Sequence, residues 1–244
     1  MTRKDAEPGR DIDAALLERL GSLDTPTVCN ALELVVPERR GHGYTVKPLV
    51  CARPSLPPMV GFAKTVTIKA QHPHDRTPEE FRKVLVRYFE YIAAGPTPSV
   101  IIVEDLDDIP GYGSFWGEVF TNVHQGFGAL GTVTNGSIRD IPANAEGFQL
   151  LAGMIGPSHA YVRVEDFGVD VEVQGMAVSD GDLIHADQHG AVVIPHHAAE
   201  AVLDAAAVMA ERESFIIEAA RKPGFSVGDF EAALLKAAKV HYPR

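Results

Sequence analysis

Cysteine is nearly missing from this chain. Cys29 and Cys51 are the only two in 244 residues, too few for a disulfide framework, which fits a reducing cytoplasm. With no adjacent His or basic residue, both read as inert packed thiols. No apolar run approaches the roughly 20 residues needed to cross a bilayer. Residues 1–10 are polar, lack a secretory core and read as disordered. Positive charge is also scarce. The 22 Lys and Arg stand against 33 Asp and Glu, a net charge of −11, which argues against nucleic acid as a direct partner. A lysine-bearing phosphate loop is absent, and so is a dinucleotide fingerprint: Gly111 and Gly113 lack the third glycine and the preceding context. Nor is there a loop for S-adenosylmethionine. What remains is an ordinary globular composition, 45% hydrophobic and 23% charged.

The pattern along the chain is α/β. Residues 11–20 have helical spacing that Gly21 ends. A second helix starts at Thr25 and Pro26, with Thr25 as N-cap, and runs to about Val36. Five prolines make residues 37–58 a loop with one short strand at most. Residues 61–70 alternate and are β-branched, which predicts a strand. Thr77 and Pro78 start a helix that ends near Gly95, and residues 99–103 form an apolar strand of the kind buried on both faces. A glycine-rich loop over 110–114 leads into a helix from about Trp116 to Gly126. A strand at 130–133 follows, broken by a turn at Asn135 and Gly136. Pro142 starts a helical turn. Strands are expected at 148–152, 161–164, 169–173, 183–186 and 191–194. A long helix over 196–222 and a last one from Ser226 to about Lys239 complete the chain. No internal repeat or linker is visible, so residues 1–244 read as a single α/β domain, with a core near 22–200 and a helical tail at 196–240.

Several clusters could carry chemistry. Arg139 and Asp140 follow the strand-turn at Gly128–Gly136. Arg can clamp an acid through two parallel hydrogen bonds, and Asp can hold a hard divalent metal. Glu118 sits at a helix start, where free N–H groups receive carboxylates. With the amides of Gly117, Val119 and Phe120, these residues could hold a small 2-oxo acid, with Mg²⁺ or Mn²⁺ on Asp140 and a water on Glu118. Spacing alone equally allows an ordinary surface ion pair. His185, Asp187 and His189 share a strand face and could bind Zn²⁺, but Asp187 to Gly190 also reads as a hairpin turn, the stronger reading. The His72 to Asp75 segment reads as a solvated strand end, and Glu104, Asp105, Asp107 and Asp108 as a solvated loop rather than a metal cage.

The stretch GALGTVTNGSIRD at 128–140 resembles the core of the RraA-like family, which includes the regulator of ribonuclease E activity A and the class II 4-hydroxy-4-methyl-2-oxoglutarate / 4-carboxy-4-hydroxy-2-oxoadipate aldolases. Residues 25–32, 60–67 and 178–195 resemble further family segments in the same order. The resemblance implies an α/β/β sandwich of the swivelling-domain type with helical additions at both ends, assembled as a homotrimer or a hexamer of two trimers with sites between protomers. It implies a metal-dependent lyase that releases pyruvate by retro-aldol cleavage or decarboxylates oxaloacetate. Arg139 would then bind the pyruvyl carboxylate and enolate, Asp140 the Mg²⁺ or Mn²⁺, and the acid at Glu118, with residues 119–138 between, a water. The amides of Val119 and Phe120 would hold the carboxylate. Two positions depart from the aldolases: Glu118 replaces an Asp, and Ala143 replaces a second acid. A neighbouring subunit's acid would be one of Glu211, Glu213, Glu218 or Glu231. The family also implies an alternative, a non-catalytic regulator that binds and inhibits a partner protein.

Overall fold

The computed structural model describes residues 12–242, so the disorder expected over 1–10 falls outside them. Helix α1 (Ala14–Leu20) starts where the Asp13 carboxylate accepts the Leu16 N–H at 2.8 Å and stops at Gly21. Helix α2 (Thr25–Val35) corrects one expectation: its N-cap is Asp24, which accepts the Thr27 N–H at 2.8 Å. Thr25 lies in the first turn instead, and its polar groups turn to the sheet. Its N–H donates to Asp187 Oδ2 at 2.9 Å and its hydroxyl meets His185 Nδ1 at 3.0 Å.

The proline-rich segment contains the two-residue strand β1 (Val50–Cys51). Strand β2 (Met59–Lys69) follows. Helix α3 (Pro78–Ala93) opens with a reciprocal cap in which Glu80 Oε2 accepts the Thr77 N–H at 2.7 Å and Thr77 Oγ1 accepts the Glu80 N–H at 3.3 Å. Next come β3 (Ser99–Asp105), the short strand β4 (Ser114–Trp116), helix α4 (Glu118–Gly126), and strands β5 (Ala129–Ile138) and β6 (Gln149–Ile155). Strand β4 replaces the end of the expected glycine-rich loop.

The turn expected at Asn135 and Gly136 is absent, because β5 runs through it. The reason is a side chain. Asn135 Oδ1 accepts the Asp105 N–H at 2.7 Å while its Nδ2 donates to the Asp105 carbonyl at 3.0 Å. An amide side chain thus continues the ladder where β3 ends, and the register against β6 shifts between Thr134 and Ser137.

The remaining strands are β7 (Arg163–Phe167), β8 (Val171–Val173), β9 (Met176–Val178), β10 (Leu183–Asp187) and β11 (Gly190–Ile194). A 3-10 turn at His196–Ala198 precedes α5 (Ala199–Ala220), which therefore starts later than expected, and α6 (Val227–Ala237) is capped by Ser226.

The principal sheet runs β1-β6-β5-β3-β2-β10-β11, with β4 paired to β5 and β7 to β2. Strand β2 is long enough to pair with β10 near its start, β3 along its middle and β7 at its end. The sheet therefore curls, and its central strands bury both faces. Along β3, Ile101 and Val103 pack with α3 and α4, while Val100 and Ile102 pack against the β8–β9 hairpin. Helices α1, α2 and α5 form a third apolar cluster over Val60, Leu183 and Ile194. This is a mixed α/β fold with helices added at both ends.

Candidate active site

The parallel pairing of β4 with β5 builds the site. Ser114 lies opposite Ser137 and Trp116 opposite Ile138, with the two serine hydroxyls 2.8 Å apart. The pairing continues one step further, where the Arg139 N–H donates to the Trp116 carbonyl at 2.9 Å. The chain after β4 thus turns into α4 beside the point where the chain after β5 delivers Arg139 and Asp140.

Asp140 adopts the left-handed conformation, φ +55°, which a short polar side chain tolerates. Its carbonyl accepts the N–H groups of Ala143 and Asn144 at 2.8 and 3.0 Å, and Asn144 Nδ2 donates to the Arg139 carbonyl at 3.0 Å. Arg53 secures the same turn, donating to the carbonyls of Asn144, at 2.7 Å, and Ala145. The Asp140 carboxylate rests over Gly117, with Oδ2 3.4 Å from the Glu118 N–H and 3.7 Å from Arg139 Nε. That second distance is an ion pair but too long for a hydrogen bond, and Arg139 Nε is buried without an acceptor among the described residues.

The first α4 hydrogen bond is Thr121 N–H to the Gly117 carbonyl, 3.0 Å. The N–H groups of Glu118, Val119 and Phe120 precede it and have no intrahelical acceptor. Among the described residues only that of Glu118 finds an acceptor, and weakly. The Glu118 carboxylate is exposed and makes no hydrogen bond or ion pair among the described residues. Val119 is 69% exposed, whereas the Phe120 ring packs on Phe115, 4.8 Å between centroids. Below the helix, His124 is buried among aromatic rings. Its Nδ1 meets the Phe120 carbonyl at 2.7 Å, which fixes the proton there, and Nε2 accepts from Tyr88 Oη at 2.7 Å. Burial lowers the His124 pKa to about 4, so the ring is neutral at pH 7.

All the expected site residues line one cavity of about 480 Å³: Gly117, Glu118, Val119, Phe120, Arg139 and Asp140. The cavity has a second wall that spacing did not reveal. His74 enters from the loop before α3, Phe81 and Leu85 from α3 itself, and His159, Tyr161 and Arg163 from the β6–β7 connection and β7. His74 had been read as a solvated strand end. Its sequence signal was weak because 74 and 163 meet only through the fold. The tail acids Glu211, Glu213, Glu218 and Glu231 do not line this cavity.

The rival clusters have structural employment. His185 Nε2 lies 3.2 and 3.1 Å from the carbonyls of Leu20 and Leu23, and its Nδ1 faces Thr25. Asp187 accepts from Thr25 and from the His189 N–H, which sits in the β10–β11 turn. This pair pins α1 and α2 to the sheet. In the acidic loop, Asp105 Oδ2 accepts the Gly111 N–H at 2.7 Å, and Asp107 Oδ2 those of Ala70 and Gln71 at 2.6 and 2.7 Å. Both carboxylates are spent on backbone. Burial raises the Cys29 thiol to about 11 and also raises that of Cys51, in keeping with inert packing. No group of three His, Cys, Asp or Glu among the described residues could hold a metal by itself.

A family model described as Aldolase/RraA matches residues 25–193. The chain belongs to the RraA-like family. Its fold resembles that of an RraA-like relative, Streptomyces coelicolor RraAS2, described as an unusual member of the RNase ES inhibitor RraA family. That likeness has a TM-score of 0.65 and 23% identity, over 83% of this chain and 96% of that one. An uncharacterised protein from Pseudomonas syringae pv. tomato str. DC3000 shares the fold with a TM-score of 0.70 and 23% identity, over 96% of this chain and 100% of that one. Protein DlpA of Legionella pneumophila (strain Philadelphia 1) is 26% identical over 122 residues, 47% of this chain. The chain spans only 19% of the length of DlpA. The family joins aldolases with RraA regulators, and no helix among the described residues is long and apolar enough to cross a membrane.

Proposed function

We propose that this RraA-like protein is a divalent-metal-dependent lyase acting on small 2-oxo or 2-hydroxy dicarboxylic acids. It would release pyruvate by retro-aldol cleavage, decarboxylate oxaloacetate, or both. One observation carries the reading: Glu118, Arg139, Asp140 and the free amides of α4 share one cavity. An ordinary surface ion pair would not need a helix N-terminus and a buried, acceptor-free guanidinium nitrogen beside it.

The donor set fits Mg²⁺ or Mn²⁺ better than a metal caged by protein alone. A hard cation of this kind accepts one or two carboxylates, with water and substrate oxygens completing its shell. Asp140 would hold it, as an exposed carboxylate on a backbone fixed by Asn144 and Arg53. When bound, such a cation polarises the 2-oxo oxygen as a Lewis acid.

The chain's own residues do the rest. The N–H groups of Val119 and Phe120 hold the pyruvyl carboxylate. Arg139 pairs with the same end of the substrate and offsets the negative charge that develops on the 2-oxo oxygen as the C3–C4 bond breaks. In the retro-aldol direction Glu118, through a water, takes the proton of the C4 hydroxyl, and a proton returned to C3 yields pyruvate. Apolar side chains such as Phe115 and Phe120 limit water around these charges. Cytoplasmic location and assembly as a homotrimer, or as two trimers, belong to the same proposal, with Glu211, Glu213, Glu218 or Glu231 of a neighbouring subunit completing the site.

The test is pyruvate release from oxaloacetate and from 4-hydroxy-4-methyl-2-oxoglutarate with Mg²⁺ or Mn²⁺. Turnover of at least one, abolished by chelation and by Asp140→Ala, supports the lyase. No turnover of either, with metal affinity unchanged in Asp140→Ala, sinks it. The second reading, a regulator of a basic partner protein, draws on the net charge of −11. A pull-down that survives Arg139→Ala and Asp140→Ala would select that reading.

A further inference from the structure

The cavity has basic groups on the wall that the lyase chemistry does not use. His74 precedes α3, His159 lies between β6 and β7, and Arg163 begins β7. We infer that His74 and Arg163 bind the second carboxylate of the substrate, the end that Arg139 does not hold. This rests on the lyase reading and deepens it, since it assigns residues that choose between one-acid and two-acid 2-oxo compounds.

The hydrogen bonds decide what each group can offer. His74 Nδ1 accepts the Arg76 N–H at 3.1 Å, so the neutral ring carries its proton on Nε2 and has a donor to give. Its ring is held flat on Phe81, with centroids 5.7 Å apart and planes 11° apart. His159 Nδ1 donates to the Ala160 carbonyl at 2.8 Å, which leaves the neutral ring's Nε2 an acceptor, so His159 shapes the wall but offers a carboxylate no donor. Arg163 Nη1 donates to the carbonyls of His72 and Tyr161 at 2.8 and 3.4 Å, and Nε pairs with Glu165 at 2.5 Å. Arg163 Nη2 has no acceptor among the described residues. The Arg163 side chain is only 11% exposed, so a charge-assisted bond from it is weakly screened.

Glu165 is shared between Arg163 and Arg76, the latter at 3.4 Å, so it saturates neither guanidinium group, while Asp75 and Glu80 stand beside Arg76 on the adjoining surface. Volume agrees with a second carboxylate. A cavity of about 480 Å³ is far larger than a three-carbon acid needs, and lies in the range of sites that enclose bigger ligands.

The experiment is calorimetric titration of the full chain, loaded with Mg²⁺, with pyruvate, 2-oxoglutarate and 2-oxoadipate. The wild type is expected to bind the better two-acid ligand at least about tenfold more tightly than pyruvate, the worth of one charge-assisted bond. Arg163→Gln is expected to reduce that preference about tenfold and leave pyruvate affinity within about twofold. His74→Ala, in the loop before α3 rather than in a strand, is expected to act in the same direction and carries the test if Arg163→Gln fails to fold. Pyruvate binding without any two-acid preference overturns the subsite alone, and so does an equal loss of all three ligands in the variants. A wild type that binds none of the three overturns the lyase reading, and the subsite with it.

Discussion

Gly117→Ala is the substitution that most sharply separates a working site from an incidental ion pair. Gly117 is the N-cap of α4 with extended backbone, φ −158°, so alanine adds no backbone strain there. The added Cβ would lie 2.6 Å from Asp140 Oδ2 and 3.4 Å from Arg139 Nε. The carboxylate must then retreat by most of an ångström to reach ordinary contact, and it moves away from the Glu118 N–H and from the place where a metal would sit. Misplacing a reacting group by about 1 Å can cost ~100-fold in rate. The expected loss in kcat/KM for pyruvate release is therefore about 10- to 100-fold, or ~1.4–2.7 kcal/mol of transition-state stabilisation. The fold should survive, because alanine in place of glycine at an N-cap costs about 1 kcal/mol, a fall of roughly 2–4 °C in Tm. Gly126→Ala is the control on the same helix, since its Cβ would meet nothing within 4 Å. Steady-state kinetics and Mn²⁺ titration of both variants make the comparison. Full activity and unchanged metal affinity in Gly117→Ala would refute the reasoning.

Other predictions follow from neighbouring features. Arg53→Met frees the 141–148 turn that fixes Asp140. It should weaken Mn²⁺ binding several-fold while far-ultraviolet circular dichroism stays unchanged. Stability should fall as pH drops from about 6.5 to about 4, because the unfolded chain protonates His124 in that window while burial keeps the folded ring neutral. A shift of that size is worth about 3 kcal/mol, and urea titrations of wild type and His124→Gln should show the slope in the wild type and a shallower one in the variant. Gly131→Ala would set a Cβ 2.2 Å from the Gln149 carbonyl and 2.5 Å from Met59 Sδ. It should destabilise the β5–β6 pairing by about 3 kcal/mol, read as a lowered urea midpoint. Cys29, its thiol raised to about 11, should react with a disulfide reagent at pH 8 far more slowly than a free thiol.

The sequence carried most of the fold because local signals and packing agree there. Thr77 and Ser226 cap the helices that follow them, and the apolar run at 99–103 is buried on both faces. It misled where a side chain took over a backbone task. Asn135 with Gly136 is a turn signal, yet the amide of Asn135 replaces a strand neighbour and the strand continues. Thr25 ahead of Pro26 resembles a cap, yet Asp24 caps and Thr25 reaches across to His185 and Asp187. Gly117–Phe120, Arg139 and Asp140 were legible because they cluster in two short segments. His74, Arg53 and Arg163 were not, because they join the site through strand pairing and side-chain bonds over long stretches of chain, which periodicity does not encode.

The central claim is that Asp140 and Arg139 together hold a metal and a 2-oxo acid. Calorimetric titration with oxalate, a planar stand-in for the pyruvate enolate, tests it most directly. Oxalate should bind the wild type only when Mg²⁺ or Mn²⁺ is present. Binding should be lost in Asp140→Ala and weakened at least about tenfold in Arg139→Met, the worth of a charge-assisted hydrogen bond. Equal oxalate affinity with and without metal, or undiminished binding in Asp140→Ala, would contradict the account.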